Sequence, residues 1–348
     1  MDTNITPDTL QQLVIQTLKD KYDYCGDDIK SLGKSLNFTF NVDDTYFVKV
    51  TKIGELQSED LYAAKVALVN IMCRNGLQVS NLIQTKECKN YIKIGTSYAL
   101  EVHSWIPNVE IYTGRPGQLE QAAKAMAECH KSLDHLQIDE ISTLKSIPSV
   151  FRGITEMGEK TFLEELTEYE RRVNEVSPRL RLHLLRTIPL LREAYLKTPN
   201  QCDLDRGIIH ADLHDLQMMF DTKTGDLKAL IDWEGACYDT RVIDIGYTAE
   251  RLSMDSKRLY ADLDSPLQNF PHNLQKVDLF LKEYDKIRPL TSMHRQRIVD
   301  QLVLKYLNSN ARLLRKVFYN GSSINQDNIL LSLRILSPER LEDLREQL

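Results

Sequence analysis

The chain has 348 residues, 42% of them hydrophobic and 27% charged, with a formal net charge of −6 and a pI near 5.8. These values fit a soluble globular protein with room for two domains. They exclude a dominant nucleic-acid role and leave no membrane-surface footprint, because phosphate-rich partners demand clustered Lys and Arg. The opening MDTNITPDTL has no basic start followed by an apolar stretch, so no secretory signal is expected. No run reaches the ~18–20 apolar residues of a spanning helix. Cys25, Cys73, Cys88, Cys129, Cys202 and Cys237 form no CxxC pair. Reduced thiols in a cytoplasmic protein are expected, rather than disulfides or zinc.

In chain order, Thr6 and Pro7 start a helical pattern through Leu10, Leu13, Val14 and Leu18, with Thr6 as N-cap. FTFNV and TYFVKV, separated by Asp43–Asp44, predict a hairpin. A helix is expected over Glu59–Arg74, ended by Asn75–Gly76. NYIKIG and SYALEVHSW read as strands, and Pro107–Asn108 breaks the second. Helices follow at Gln118–Leu136, Phe162–Val176 and Arg179–Leu196. A β-rich island interrupts at Gly207–Trp233, and amphipathic helices run on from it. The fold class is therefore α+β. A small β-rich lobe (residues 1–105) precedes a larger, mainly helical one (106–348), joined near Ser104–Asn108 by a short hinge.

The island GIIHADLHDLQMMFDTKTGDLKALIDWEG carries the chemistry. A polar loop holds His210, Asp212, His214, Asp215 and Gln217. Two short strands joined by DTKTGD follow. A hairpin returns its second strand beside its first, so Asp232 is expected near the loop that contains Asp212. Two carboxylates and an amide suit phosphoryl transfer. One carboxylate accepts the proton of an attacking hydroxyl, and the other, with an amide oxygen, holds Mg²⁺ against nucleotide phosphates. HADLH read alone also permits an HxDxH metal site of a hydrolase. His214 is expected to make a loop hydrogen bond.

The segment resembles the aminoglycoside phosphotransferase/choline kinase-like family, including kinase-like homoserine and hydroxylysine kinase types. The matching residues are His210, Ala211, Asp212, Gln217 and Ile231-Asp232-Trp233. The resemblance implies a two-lobed protein-kinase-like fold with ATP and Mg²⁺ as cofactors. It implies Asp212 as catalytic base, Asp232 and Gln217 as metal ligands, His210 as a loop brace and Asp244 as a loop support. LGKSLNFTFNVDDTYFVKV is similar to the family's nucleotide-covering hairpin, with Gly33, Asn37 and Phe40 at matching positions. Lys49, between Val48 and Val50, then faces the cleft and contacts the phosphates. Backbone groups of Ser104, Trp105 and Ile106 would meet the adenine edge, and His130 would be packed. The partner implied is a small-molecule hydroxyl substrate: an amino alcohol, hydroxy amino acid, sugar or aminocyclitol antibiotic. No nucleic acid, no membrane and a monomer or homodimer are expected.

Three positions depart from the family pattern. Lys65 stands where the helix after Lys49 usually carries the lysine's glutamate partner, with Glu59 and Asp60 earlier on that helix. Gln217 replaces asparagine, and the extra methylene of glutamine displaces the amide oxygen by about 1 Å. Ala211 replaces glycine. These departures keep open a degenerate kinase that binds nucleotide or metabolite without phosphotransfer. Glu250, Asp255, Asp262 and Asp264 form either a solvated acidic face or a site for a cationic substrate.

Overall fold

The hairpin expected at Asp43–Asp44 is present in the computed structural model, which describes residues 7–26, 28–34, 37–53, 58–134, 136, 158–176, 178–197, 205–254 and 273–319. Strands β2 (Phe38–Val42) and β3 (Tyr46–Lys52) pair antiparallel. Asp43 and Asp44 turn with φ of 52° and 49°, a left-handed geometry that short Asp side chains tolerate. Asn41 braces the turn, donating to Asp44 Oδ1 at 2.6 Å and accepting from Asp44 N at 3.1 Å.

The chain forms two compact units, Met1–Ile147 with Leu216–Ala236, and Pro148–Asp215 with Cys237–Leu348. In the first, β1 (Ile29–Lys34) extends the hairpin sheet beside β2. β6 (Tyr98–Ser104) pairs with β3 and carries both β4 (Leu82–Ile83) and β5 (Ile92–Ile94). Helix α1 (Pro7–Tyr22) lays Leu10, Val14 and Leu18, spaced four apart on one face, into a core with Val42, Val48, Val50, Leu100 and Val102. Helix α2 (Glu59–Arg74) has the expected bounds: Ser58 caps the N–H of Leu61, and Gly76 leaves the helix with φ of 73°.

A second, three-stranded sheet in this unit orders β10 (Leu227–Leu230), β9 (Met218–Asp221) and β7 (Val109–Ile111). The island hairpin is thus present, and the short β7 joins it just past the Asn108 turn (φ 56°). Helix α3 (Gln118–Leu133) clamps the hairpin's tip. Gln121 donates to the Gly225 carbonyl at 3.1 Å and accepts from Leu227 N at 2.8 Å.

The second unit contains helices α4 (Gly158–Arg172), α5 (Pro178–Lys197), α6 (Arg241–Ser253), α7 (Leu274–Asp285) and α8 (Ser292–Tyr319). It also holds the antiparallel pair β8 (Arg206–Ile209) and β11 (Cys237–Thr240). Helices α6 and α8 pack closely at Gly246, where an added Cβ would lie 2.9 Å from Ile298 Cγ2 and 3.3 Å from Leu302 Cγ. Ile298, Leu302 and Lys305 recur at helical spacing and share one face of α8. Among the described residues, Cys25, Cys73, Cys88, Cys129 and Cys237 are free thiols. No described helix is long and apolar enough to cross a membrane.

Gly246→Ala forces a methyl against a β-branched side chain in this contact. The variant is expected to lose ~1–3 kcal/mol of stability in urea denaturation. An unchanged midpoint would show that the two helices separate freely there.

Candidate active site

Lys49 is the centre of the first unit's site. Its strand neighbours Val48 and Val50 are wholly buried, and Lys49 itself is 8% exposed on the opposite face. There it lines a cavity of about 350 Å³ with Phe47, Val66, Ile106, Met219 and Asp232, within the usual range for a ligand pocket. Its ammonium lies 3.7 Å from Glu101 Oε1, 3.4 Å from Asp232 Oδ1 and in direct contact with Glu234. Burial works against the charge, but Glu101, Glu234 and Asp232 outweigh it and raise the lysine's pKa above its ordinary value. For Glu101 burial also opposes ionisation. Hydrogen bonding from His103, the Lys49 charge and Tyr62 reverse that and pull its carboxyl down to about 2.

Asp232 opens a short 3-10 turn, Trp233–Gly235, from a left-handed conformation (φ 65°). Trp233 anchors the turn, 4% exposed, with its indole N–H on the Leu230 carbonyl at 3.3 Å. Glu234 then becomes a hub: Asn37 donates to its carboxylate at 2.6 Å, and Lys65 donates to its backbone carbonyl. Lys65 therefore serves the turn that carries Asp232. Glu59 pairs elsewhere, with Lys93 at 2.5 Å, and Asp60 is exposed. The acidic partner of Lys49 on the sheet is Glu101, directly opposite it in the β3–β6 register. Sequence reasoning sought that partner on α2 and missed both Glu101 and Glu234.

The remaining expected nucleotide and metal residues of this unit lie close by. Ser104, Trp105 and Ile106 line the same cavity as Lys49. The Ser104 and Trp105 N–H groups are already committed, to the Asn81 carbonyl at 2.9 Å and the Thr45 carbonyl at 2.8 Å. Gln217 is 8% exposed, and its backbone carbonyl accepts from Ile231 N at 2.9 Å, beside Asp232. Among the described residues no group of three or more His, Cys, Asp or Glu is arranged to hold a metal ion. One carboxylate and one amide oxygen nevertheless suit Mg²⁺, which takes few protein ligands and fills its shell with phosphate and water.

Asp212 belongs to the second unit. The loop before it is held by the fully buried Asp244, whose carboxylate accepts from His210 N at 2.7 Å and Ala211 N at 2.8 Å. Ala211 is left-handed there, with φ of 68°. The Asp212 side chain is 58% exposed. Its Oδ1 accepts from the Tyr247 hydroxyl at 3.0 Å and lies 3.7 Å from Lys305 Nζ. Lys305 also donates to the Ala211 carbonyl at 2.7 Å. Neither Tyr247 nor Lys305 was singled out in the sequence, where no local motif marks them. His214 Nδ1 lies 3.3 Å and Arg251 3.6 Å from Asp215. His210 and His130 are both buried. Glu250 is buried within α6 rather than on a solvated face, and Asp255, Asp262 and Asp264 lie outside the described residues.

Glu101 gives a pH test of the Lys49 cluster. Its folded pKa, about 2, lies below the ordinary 4.5. Its contribution to stability is therefore complete above pH 4.5 and fades as pH falls through about 2. Glu101→Gln is expected to flatten the acid limb of the stability curve in that window, measured by denaturation at each pH. An unaltered limb would place the acid-sensitive group elsewhere.

A model of the phosphotransferase enzyme family matches residues 28–276, most of the chain. No curated protein matches it by sequence. Among solved structures, it is similar to the amicoumacin kinase hAmiN in complex with AMP-PNP, Ca²⁺ and Ami, at 18% identity and a TM-score of 0.62, covering 95% of this chain and 93% of that one. It is similar to a microcompartment-associated aminopropanol kinase, at 12% identity and a TM-score of 0.63, covering 93% and 94%. A third is an aminoglycoside phosphotransferase from Alicyclobacillus acidocaldarius, at 14% identity and a TM-score of 0.62, covering 94% and 95%. These likenesses show the fold, a mixed one with an antiparallel N-terminal sheet and a helical C-terminal region. The family match goes further: the chain belongs to the phosphotransferase enzyme family.

Proposed function

We propose that this protein transfers the γ-phosphoryl group of ATP, with Mg²⁺, to a hydroxyl of a small molecule. The observation that carries the reading is the buried Lys49 ammonium, held among carboxylates in a cavity of nucleotide size. A permanently charged lysine on an enclosed wall suits polyphosphate. On nucleotide binding its contact with Glu234 gives way to phosphate oxygens, while Glu101 keeps the side chain in place. Since Ser104 and Trp105 spend their N–H groups on the protein, the adenine donor is the Ile106 N–H, with a carbonyl of the same segment as acceptor. Residues 1–105 form the nucleotide-covering lobe and 106–348 the lobe that takes the acceptor.

Asp232 and Gln217 would hold the metal through a carboxylate and an amide oxygen. Bound Mg²⁺ neutralises phosphate charge and orients the leaving group. Asp212 takes the acceptor's proton through Oδ2, because Oδ1 already accepts from Tyr247. The acceptor oxygen bonds to the γ-phosphorus, the bond to the bridging oxygen breaks, and ADP leaves. The acceptor is an amino alcohol, hydroxy amino acid, sugar or aminoglycoside-like compound. The similar structures act on such compounds by name: an aminopropanol kinase and an aminoglycoside phosphotransferase. The protein works in the cytoplasm as a monomer or homodimer.

Mg-ATP at millimolar concentration is expected to raise the melting temperature, and ATP without Mg²⁺ to raise it far less. A melting curve indifferent to Mg-ATP would remove the nucleotide site. Asp212→Asn is expected to cut turnover by at least ~10³-fold with nucleotide affinity within about twofold of wild type. Product is followed by ³¹P NMR over hydroxylated amines, amino acids and sugars. ATP binding with no phosphorylated product from any of them would leave a binding protein instead of an enzyme. Lys49→Ala is expected to weaken ATP binding by ~10-fold or more, read by calorimetry; unchanged affinity would move the phosphate contact off this strand.

A further inference from the structure

Helix α8 lies wholly beyond residue 276, where the family match ends, yet it sends one charged side chain to the loop of Asp212. We infer that Lys305, together with Tyr247, is a positioning residue for Asp212: the pair fixes one carboxylate oxygen and the loop carbonyl beside it, so that the other oxygen faces the acceptor. The inference rests on Asp212 being the base. Lys305 Nζ donates to the Ala211 carbonyl at 2.7 Å, stands over the Tyr247 ring and lies 3.7 Å from Asp212 Oδ1. The Tyr247 hydroxyl donates to that same oxygen at 3.0 Å. Both side chains are nine-tenths buried or more, whereas Asp212 is open. The close approach of α8 to Gly246 brings the ammonium within reach, because Lys305 shares the helix face of Ile298 and Leu302.

A lysine buried this far is an expensive brace. Burial pulls its pKa down to about 7. That value is the net of burial and Arg251, which lower it, against Asp212, Asp244 and Cys237, which raise it. Among the described residues Tyr247 also stands against Lys305, and its own pKa is raised, by burial first. An apolar side chain of equal length would fill the space without that cost, so a role at Asp212 accounts for the amine where packing alone does not.

The sign of the linkage gives a signature. Lys305 binds its proton less tightly folded than unfolded, so it makes stability rise as pH climbs from about 7 towards 10.5. Lys305→Met is expected to lose that rise. In the same variant kcat for the best acceptor should fall by ~10²-fold, with KM for ATP unchanged within about twofold. Tyr247→Phe, which keeps the ring and removes only the hydroxyl, should lower kcat by ~10-fold with the same constant KM. It serves as the test if the methionine variant does not fold. Full kcat in either variant, or a fall of kcat in step with loss of folded protein, overturns the inference. A wild-type enzyme silent with every acceptor overturns the phosphotransfer reading itself, and the inference with it; wild-type turnover distinguishes the two failures.

Discussion

A buried ammonium cannot be left alone. Taking one from water costs several kcal/mol unless carboxylates and hydrogen bonds replace the lost hydration. Lys49 obtains them from two stretches far apart in sequence: Glu101 from the next strand of the sheet, and Asp232 and Glu234 from the turn after β10. That requirement organises the first unit. It fixes the register of β3 against β6, since a slip of one residue would turn Lys49 into the hydrophobic core and Val48 or Val50 into the cavity. It also ties the five-residue segment from Leu230 to Glu234 to the sheet, a tie that Asn37 and Lys65 reinforce at Glu234.

The second unit meets the complementary problem with main-chain groups. Asp244 is a buried carboxylate satisfied by two consecutive backbone N–H groups. Consecutive amides point at one acceptor only when the chain bends sharply, and Ala211 supplies the bend from a left-handed conformation that costs of order 1–3 kcal/mol for a residue with a Cβ. Asp244 and Lys305 hold that bend from the N–H side and the carbonyl side, so the residue after it, Asp212, is delivered to the surface in a fixed direction.

The legible parts of this protein were local. The hairpin at Asp43–Asp44, the bounds of α2 and the inward face of Lys49 all follow from alternation, capping and turn chemistry within a few residues. The HxD loop and Ile-Asp-Trp were legible because their spacing is itself a motif. The β1 strand and the three-residue β7 escaped, as each is defined by its neighbour more than by its own composition. So did the pairing of β8, which opens the island, with β11, which lies just past its end. Glu101 escaped for the same reason: only the strand register places it opposite Lys49. Lys305 lies 94 positions from Ala211, whose carbonyl it meets, in a helix that reads as amphipathic and nothing more.

The lysine at position 65 has a mechanical consequence. Where a helix supplies the acid that steadies a phosphate-binding lysine, swinging that helix outward disarms the lysine. Here the steadying acid sits on a strand hydrogen-bonded to the lysine's own strand, and the helix grips the backbone of the Asp232 turn instead. Displacing α2 would leave Glu101 opposite Lys49 and would disturb the turn that brings Asp232 and Glu234 to it, so movement of this helix loosens two of the lysine's three carboxylates and spares the one on the sheet.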